Sequence, residues 1–407
     1  MRNHDRSTDA VADHRRGGFD AGRRRRIFAT VIVLGLLAAA CSPGGQPAQA
    51  EVEFDDWEAL AEAADGQTVR WWMFGGDQRV NTYVDEHVAA AARARGVEVE
   101  RVPITDTADA VRRVTAEQDA GREDGSVDLI WINGNNFAAG KEAGLWLTDW
   151  ARRLPNAELV DWDDETVAAD FGVPVDGQES PWTRGAFVFA YDPQRLPEPP
   201  STFEQLHEWA RENPGRFTYP APPDFTGSAF VRQAVQALGE DEAFALLADL
   251  RPVQWREGVA FPGSEAELSQ LFGDGQVDIA MSYDPTFVAT GVAQGTFAPR
   301  VRPFVLEHGT LQNTSYVTIP ANATNVEAAL VVADLLLEPE LQALLEDPAI
   351  WGMPSVLDAD QLTAEEQELF EVREGEHILA DLGERLAELP AERVDALDQR
   401  WRREVLR

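Results

Sequence analysis

The 407-residue chain contains one cysteine, Cys41, which excludes an internal disulfide, a Cys-x-x-Cys redox pair and a thiolate zinc site. Histidine is nearly as scarce. Beyond Cys41 there are His87, His207, His308 and His377, each in a different segment, so no compact histidine metal cluster is expected. Basic residues are in deficit, 35 Lys and Arg against 71 Asp and Glu, for a formal net charge of −36. A surface of that sign repels nucleic acid. The sequence has no GxxxxGK[ST], no HExxH and no GxSxG, and Thr226-Gly-Ser-Ala-Phe230 lacks the second glycine of the last of these. Carboxylate pairs such as Asp163-Asp164 follow from so acidic a composition alone. The chain is expected not to be an enzyme and to hold neither metal nor cofactor.

Long apolar runs are also missing, with one informative exception near the start. Arg23 to Arg26 precede an uncharged apolar run from Ile27 to Ala40. It is shorter than the roughly 20 residues that span a bilayer and has the length of a signal-peptide core. It leads straight into Cys41, followed by the polar tether Ser42-Pro43-Gly44-Gly45-Gln46. This pattern resembles a bacterial lipoprotein signal, in which the cysteine is acylated and becomes the mature N-terminus. Ala38 stands where such signals favour leucine. Arg24-Arg25-Arg26-Ile27-Phe28 also resembles a twin-arginine signal, so the general secretory and twin-arginine routes both stay open. The protein is expected to be exported and held through the lipid anchor alone, on the outer face of the cytoplasmic membrane or in the periplasm.

After this leader, strands and helices alternate. Thr68 to Phe74 reads as a strand, and Asp77 caps a helix to about Arg95. Val97 and Val99 alternate with Glu98 and Glu100 as a second strand, and a helix runs from Asp106-Thr107 to about Ala120. Val127 to Ile132 is a buried strand ending at Asn133-Gly134-Asn135-Asn136. Later strands are expected at 185–191, 277–281, 302–306 and 315–319, with a helix at 202–212 that leads to Arg216-Phe217-Thr218-Tyr219 and a proline-rich turn, and another from Thr226 towards Leu238. From about Thr324 the chain reads as helix. The fold class is therefore α/β, with a parallel sheet covered on both faces. In such sheets ligands sit outside the carboxyl ends of the strands, and two halves facing each other make a cleft.

Three stretches carry a family resemblance: Trp71-Trp-Met-Phe-Gly-Gly-Asp77, Asp128-Leu-Ile-Trp-Ile-Asn-Gly134 with Glu142-Ala-Gly144, and 213–230, Asn-Pro-Gly-Arg-Phe-Thr-Tyr-Pro-Ala-Pro-Pro-Asp-Phe-Thr-Gly-Ser-Ala-Phe. They resemble the substrate-binding proteins of ABC importers, in the YnjB-type branch near the thiamine-, polyamine- and iron-binding proteins. The resemblance implies a two-lobed, type II periplasmic-binding fold with a hinge. Residues 1–40 are then the signal and 41–67 the lipid-anchored tether and lead-in. Residues 68–184 with 310–407 form the first lobe, 185–309 form the second, and the C-terminal helices wrap the first. It also implies a monomer that closes on a small molecule, of which a thiamine-like compound is the first candidate, and docks on an ABC permease served by its ATPase.

Candidate ligand-binding residues follow from the strand ends. Gly75 and Gly76 let backbone approach a ligand, and Asp77 either holds a cation or caps its helix. Asn133, Gly134 and Asn135 offer amide groups at the next junction. Asp224, Thr226, Gly227 and Ser228 open a helix and read either as an anion site or as a plain N-cap. Trp182, Tyr283 and Asp284 are candidates for an aromatic wall and a carboxylate near the hinge. Asn313 lies on the return crossing. This mixture fits an aromatic cation carrying phosphate. Two other classes remain as alternatives, a surface lipoprotein that binds another macromolecule and a secreted glycosidase using two carboxylates. Ligand-triggered closure distinguishes the receptor from both.

Overall fold

The computed structural model describes residues 56–370, 375–379 and 381–406. The leader, Cys41 and the tether up to residue 55 lie outside them, while Trp57–Ala64, within the expected tether and lead-in, forms a helix. The described residues form eleven strands: β1 Thr68–Phe74, β2 Glu98–Ile104, β3 Leu129–Ile132, β4 Ala169–Asp170, β5 Val173–Pro174, β6 Glu179–Ala186, β7 Val188–Tyr191, β8 Ile279–Ser282, β9 Arg302–Phe304, β10 Thr310–Thr318 and β11 Arg385–Ala387. The large sheet runs β11-β10-β3-β1-β2, with β6 also on β10, and a small sheet runs β8-β7-β9.

Parallel pairing holds only where helices separate consecutive strands. β1 is parallel to β2 and to β3, whereas β10 is antiparallel to β3 and β6, and the small sheet is antiparallel throughout. The expected all-parallel sheet is thus corrected: the chain enters and leaves the small sheet through neighbouring long strands, and these run in opposite directions. The predicted strand at 185–191 is two strands. β6 ends at Ala186 in the large sheet and β7 starts at Val188 in the small one. In the segment 216–219, the Arg216 and Phe217 carbonyls accept from the Asp278 and Trp255 N–H groups.

Helix starts match their capping residues. The Asp77 carboxylate accepts from the Arg79 N–H at 2.8 Å, Thr202 Oγ1 accepts from the Gln205 N–H at 3.2 Å, and Asp224 accepts from the Gly227 N–H at 3.0 Å. The first long helical stretch covers Gln78 to Ala94 and widens to π-helix over Tyr83–Val88. Each side chain so capped starts an element whose apolar face is then buried.

One core surrounds the small sheet and includes Phe189, Phe217, Tyr219 and Phe230. A second lies on one face of the large sheet, with the Val326–Leu335 helix buried on nearly every side. A third, with Ile130, Phe137, Trp146 and Tyr316, also packs about the large sheet. The C-terminal helix Ala391–Glu404 departs from expectation. Leu397, Trp401 and Val405 join the small-sheet core, and Trp401 Nε1 donates to Tyr219 Oη at 2.9 Å. It packs against the Phe225–Leu238 helix rather than wrapping the large-sheet half.

Candidate functional site

The segment that opens the Phe225–Leu238 helix and the turn after β8 approach the β4–β5 hairpin beside the large sheet. Arg232, two turns into that helix, lies at their meeting point and is 1% exposed. Its Nε and Nη2 donate to the two Glu388 oxygens at 2.7 and 2.8 Å, and Nη1 donates to Ser228 Oγ at 2.8 Å. Ser228 Oγ in turn donates to Asp398 at 2.7 Å, and Tyr283 Oη donates to Glu388 at 2.5 Å. Phe225 and Phe171 flank the guanidinium, with ring centroids 5.5 and 5.9 Å away, and Phe225 packs on Tyr283 at 5.0 Å. Burial pulls the Arg232 guanidinium down, but the Glu388 carboxylate outweighs it and keeps the group charged. Burial, reinforced by Glu388, pushes the Tyr283 phenol far up and keeps it a donor.

Next to this pair is a cavity of about 420 Å³, bordered by Asp170, Phe171, Asn313, Thr314, Glu165 and Glu388 among others. Asp170 is 2% exposed. One of its oxygens accepts from the Gly134 N–H at 2.5 Å, and the other has no partner among the described residues. Burial lifts its carboxyl to about 8, with the Glu388 charge adding to the rise. Glu179 is wholly buried near it, and burial followed by the Asp170 charge raises its carboxyl well above the usual range. A larger cavity, about 810 Å³, includes Arg184, Gln312, Ser355 and Arg385. Gln312 borders both.

A further cluster links the two halves. Arg79 donates to Asp284 at 2.5 Å, Thr290 at 2.6 Å, Thr286 at 3.1 Å, the Trp351 carbonyl at 3.1 Å and Asp77 at 3.3 Å. Asp284 also caps its own turn, accepting from the Thr286 N–H and hydroxyl at 2.8 Å each.

The sequence candidates separate on this geometry. Asp77 and Asp284, 207 positions apart, meet through Arg79, and Asp77 keeps its capping role as well. Gly134, at φ +61°, brings its N–H to Asp170 and packs beneath Phe171. Asn313 borders the smaller cavity and lies against Gly185, where a Cβ would fall 2.8 Å from its Oδ1. Tyr283 reaches Glu388. Asn133 is half-buried at the end of β3, and Asn135 is exposed at the first position of its helix. Gly75 and Gly76 serve the chain's own packing, since a Cβ there would meet Pro103 at 2.6 Å or the Phe74 ring at 2.2 Å.

Two expectations are corrected. Trp182 is not a cleft wall: it is fully buried among Trp71, Trp131 and Trp351, with ring centroids 5.3, 5.0 and 5.2 Å away. The helix start at 224–228 is not an open anion site. Asp224 takes the Gly227 N–H, and the Thr226 and Ser228 hydroxyls donate to Glu265 and Asp398. The chain's own carboxylates satisfy the donors that an anion would need.

Reading the sequence missed Arg79, Asp170, Phe171, Arg232, Glu265 and Glu388. Arg232 had a local signal, because it lies four residues after Ser228 on the same helix face. Glu388 had none, being 156 positions from its partner.

Residues 86–369 match the sequence profile of the bacterial extracellular solute-binding protein family. Protein YnjB of Escherichia coli (strain K12) is 39% identical over 365 residues, covering 85% of this chain and 93% of its own. Among solved structures, IdiA (FutA) of Trichodesmium in complex with iron and citrate superposes with a TM-score of 0.62 at 14% identity, covering 84% of this chain and all of that one. A periplasmic thiamin binding protein does so with a TM-score of 0.56 at 19% identity, over 84% of this chain and 96% of that one. These structures share the two-lobed periplasmic-binding architecture. The chain belongs to the bacterial extracellular solute-binding proteins, which are the substrate-binding components of ABC transporters and not enzymes.

Proposed function

We propose that the protein captures a small organic cation in the 420 Å³ cavity lined by the β4–β5 hairpin, β10 and the segment after β11 and delivers it to an ABC permease, with a thiamine-like compound as the first candidate. The observation that carries this reading is the cavity's lining. Asp170, Glu165 and Glu388 contribute carboxyls, Phe171 contributes a ring, and no basic side chain borders it. The volume suits a ligand of that size, and an aromatic face beside carboxylates attracts a flat cation. The thiamin binding protein of like fold makes thiamine a reasonable first probe. No group of three or more His, Cys, Asp or Glu able to hold a metal occurs among the described residues, so a bare metal ion is a poorer match.

In this reading the first lobe comprises residues 68–184 with the segment from 310, and the second comprises 185–309 with the C-terminal helix packed on it. The β6–β7 and β9–β10 connections act as the hinge, and the protein works as a monomer. Cys41 is the acylated residue that holds it at the outer face of the cytoplasmic membrane. No helix among the described residues is long and apolar enough to cross one. Mass spectrometry of the membrane-extracted chain tests the anchor: an N-terminus other than an acylated Cys41 would refute it.

The ligand is tested by thermal unfolding of the full chain with thiamine, its phosphates, polyamines, ferric chelates, amino acids and sugars. A ligand at 100 times its Kd stabilises the fold by about 2.7 kcal/mol, a shift of several degrees at roughly 2 °C per kcal/mol. A shift with an organic cation supports the reading. A shift confined to sugars or neutral amino acids removes it.

A further inference from the structure

Arg232 is held as a recognition site for an anion is held, and the anion in it belongs to the chain itself. Both ends of the guanidinium fork donate to Glu388, and Tyr283 adds a third donor at 2.5 Å. This planar, bidentate arrangement is the one by which proteins recognise carboxylate and phosphate. We infer that the Arg232 seat is a subsite for an oxyanion on the ligand, a carboxylate or a phosphate monoanion, which exchanges with Glu388 when the ligand enters. The inference rests on reading the adjoining cavity as the ligand site.

Three observations separate this from a salt bridge that only fixes the chain. Arg232, Ser228 and Tyr283 lie inside the stretch that matches the family profile, residues 86–369. Glu388 borders the cavity, so it faces the space through which a ligand group would arrive. The rings of Phe171 and Phe225, which come from opposite sides of the meeting point, flank the guanidinium and leave its fork to an in-plane partner. Glu388 stands immediately after β11, where its side chain can turn away while Arg385 to Ala387 stay paired with β10. Asp398, held through Ser228, and Asp170 also bear on the seat. The Asp398 carboxylate favours a singly charged oxyanion over a doubly charged one, while Asp170 keeps its proton up to about pH 8.

The test uses the full chain and calorimetric titration with two probes, acetate and inorganic phosphate, on the wild type and Glu388→Ala. A tethered carboxylate competes at an effective concentration in the millimolar range, so its removal should tighten at least one probe by about tenfold or more. Adding Arg232→Gln to Glu388→Ala, which removes the buried pair as a unit, should abolish that gain. A folded Glu388→Ala variant that binds neither probe more tightly overturns the inference, as does a gain that survives the double substitution. Should Glu388→Ala fail to fold, the isosteric Glu388→Gln takes its place. Failure of both to fold would make Glu388 a structural counter-ion and likewise overturn exchange. Thiamine is titrated in parallel. Thiamine binding with no anion gain rejects the seat and leaves the receptor reading standing, and an anion gain without thiamine binding does the reverse.

Discussion

Asp170 shows how burial converts an ordinary acid into a proton-linked one. Burial disfavours its charged form, the Gly134 N–H alone among the described residues meets its carboxyl, and Glu388 adds a negative field, so the proton stays on until about pH 8. In the unfolded chain the same group titrates near 3.9. The folded state therefore binds more protons across that interval, and the resulting stability is complete below about pH 4 and lost as pH rises through about 8. Asp334, lifted to about 6 by burial, and the buried Glu179 act in the same direction, so the diagnostic quantity is a difference between curves. Asp170→Asn should gain on the wild type as pH rises towards 8 and above, measured as Tm against pH. Parallel curves would show that Asp170 does not carry the proton. A cation entering beside Asp170 favours its ionised form, so binding should tighten as pH rises and should release a proton. Calorimetry in buffers of different ionisation enthalpy reads that proton directly. None of this was legible in the sequence, where Asp170 is one of 71 acids and its burial depends on a strand, β10, that lies over 140 positions away.

At the scale of elements, local chemistry was legible and distant pairing was not. Asp77, Thr202 and Asp224 marked their helix starts because capping is a contact of two or three residues. The apolar runs at β1, β3 and β8 marked their strands for the same local reason. Trp182 misled because an indole in the middle of a strand looks the same in the sequence whether its face of the sheet is packed or open. Within the candidate site, Tyr283 and Asp284 were legible as an aromatic and a carboxylate after a strand and Asn313 as a polar residue on the return crossing, while Glu388 required the segment after β11 to be placed against the Phe225–Leu238 helix. The C-terminal helix reads as a polar stretch in which acids and arginines balance, and its partner surface belongs to the small-sheet core. Trp401 anchors it there, fully buried, with its indole N–H on Tyr219. Trp401→Ala deletes that ring from a packed core and leaves the Tyr219 hydroxyl short of a donor. It should cost about 3–5 kcal/mol, seen as a lower urea midpoint with an unchanged slope. A loss under about 1 kcal/mol would mean that the helix is an attached appendage rather than part of the fold.

For the whole molecule, the decisive contact is the charged bridge that Arg79 makes between its halves. Arg79 belongs to the helical stretch after β1. Asp284, Thr286 and Thr290 belong to the turn after β8 and the Phe287–Ala293 helix, whose Phe287 and Val288 sit in the small-sheet core. Burial pulls the guanidinium down, and Asp284 outweighs it, so the bridge stays charged. A receptor of this architecture works by hinge closure, and a charged bridge across the halves stabilises the closed arrangement relative to the open one without touching the hinge strands. Hydrogen bonds to a charged group contribute about 1.5–3 kcal/mol, and Arg79 is partly solvated, which lowers its share. Arg79→Ala should therefore enlarge the radius of gyration of the unliganded protein in small-angle X-ray scattering. It should also weaken ligand binding by about tenfold, because the binding-competent fraction falls. A ligand in excess should restore the wild-type radius, since its binding energy replaces the lost bridge. If the radius does not change, Arg79 sits on a surface that stays together whether or not a ligand is present, and closure must be governed by the hinge strands β6 and β10 alone.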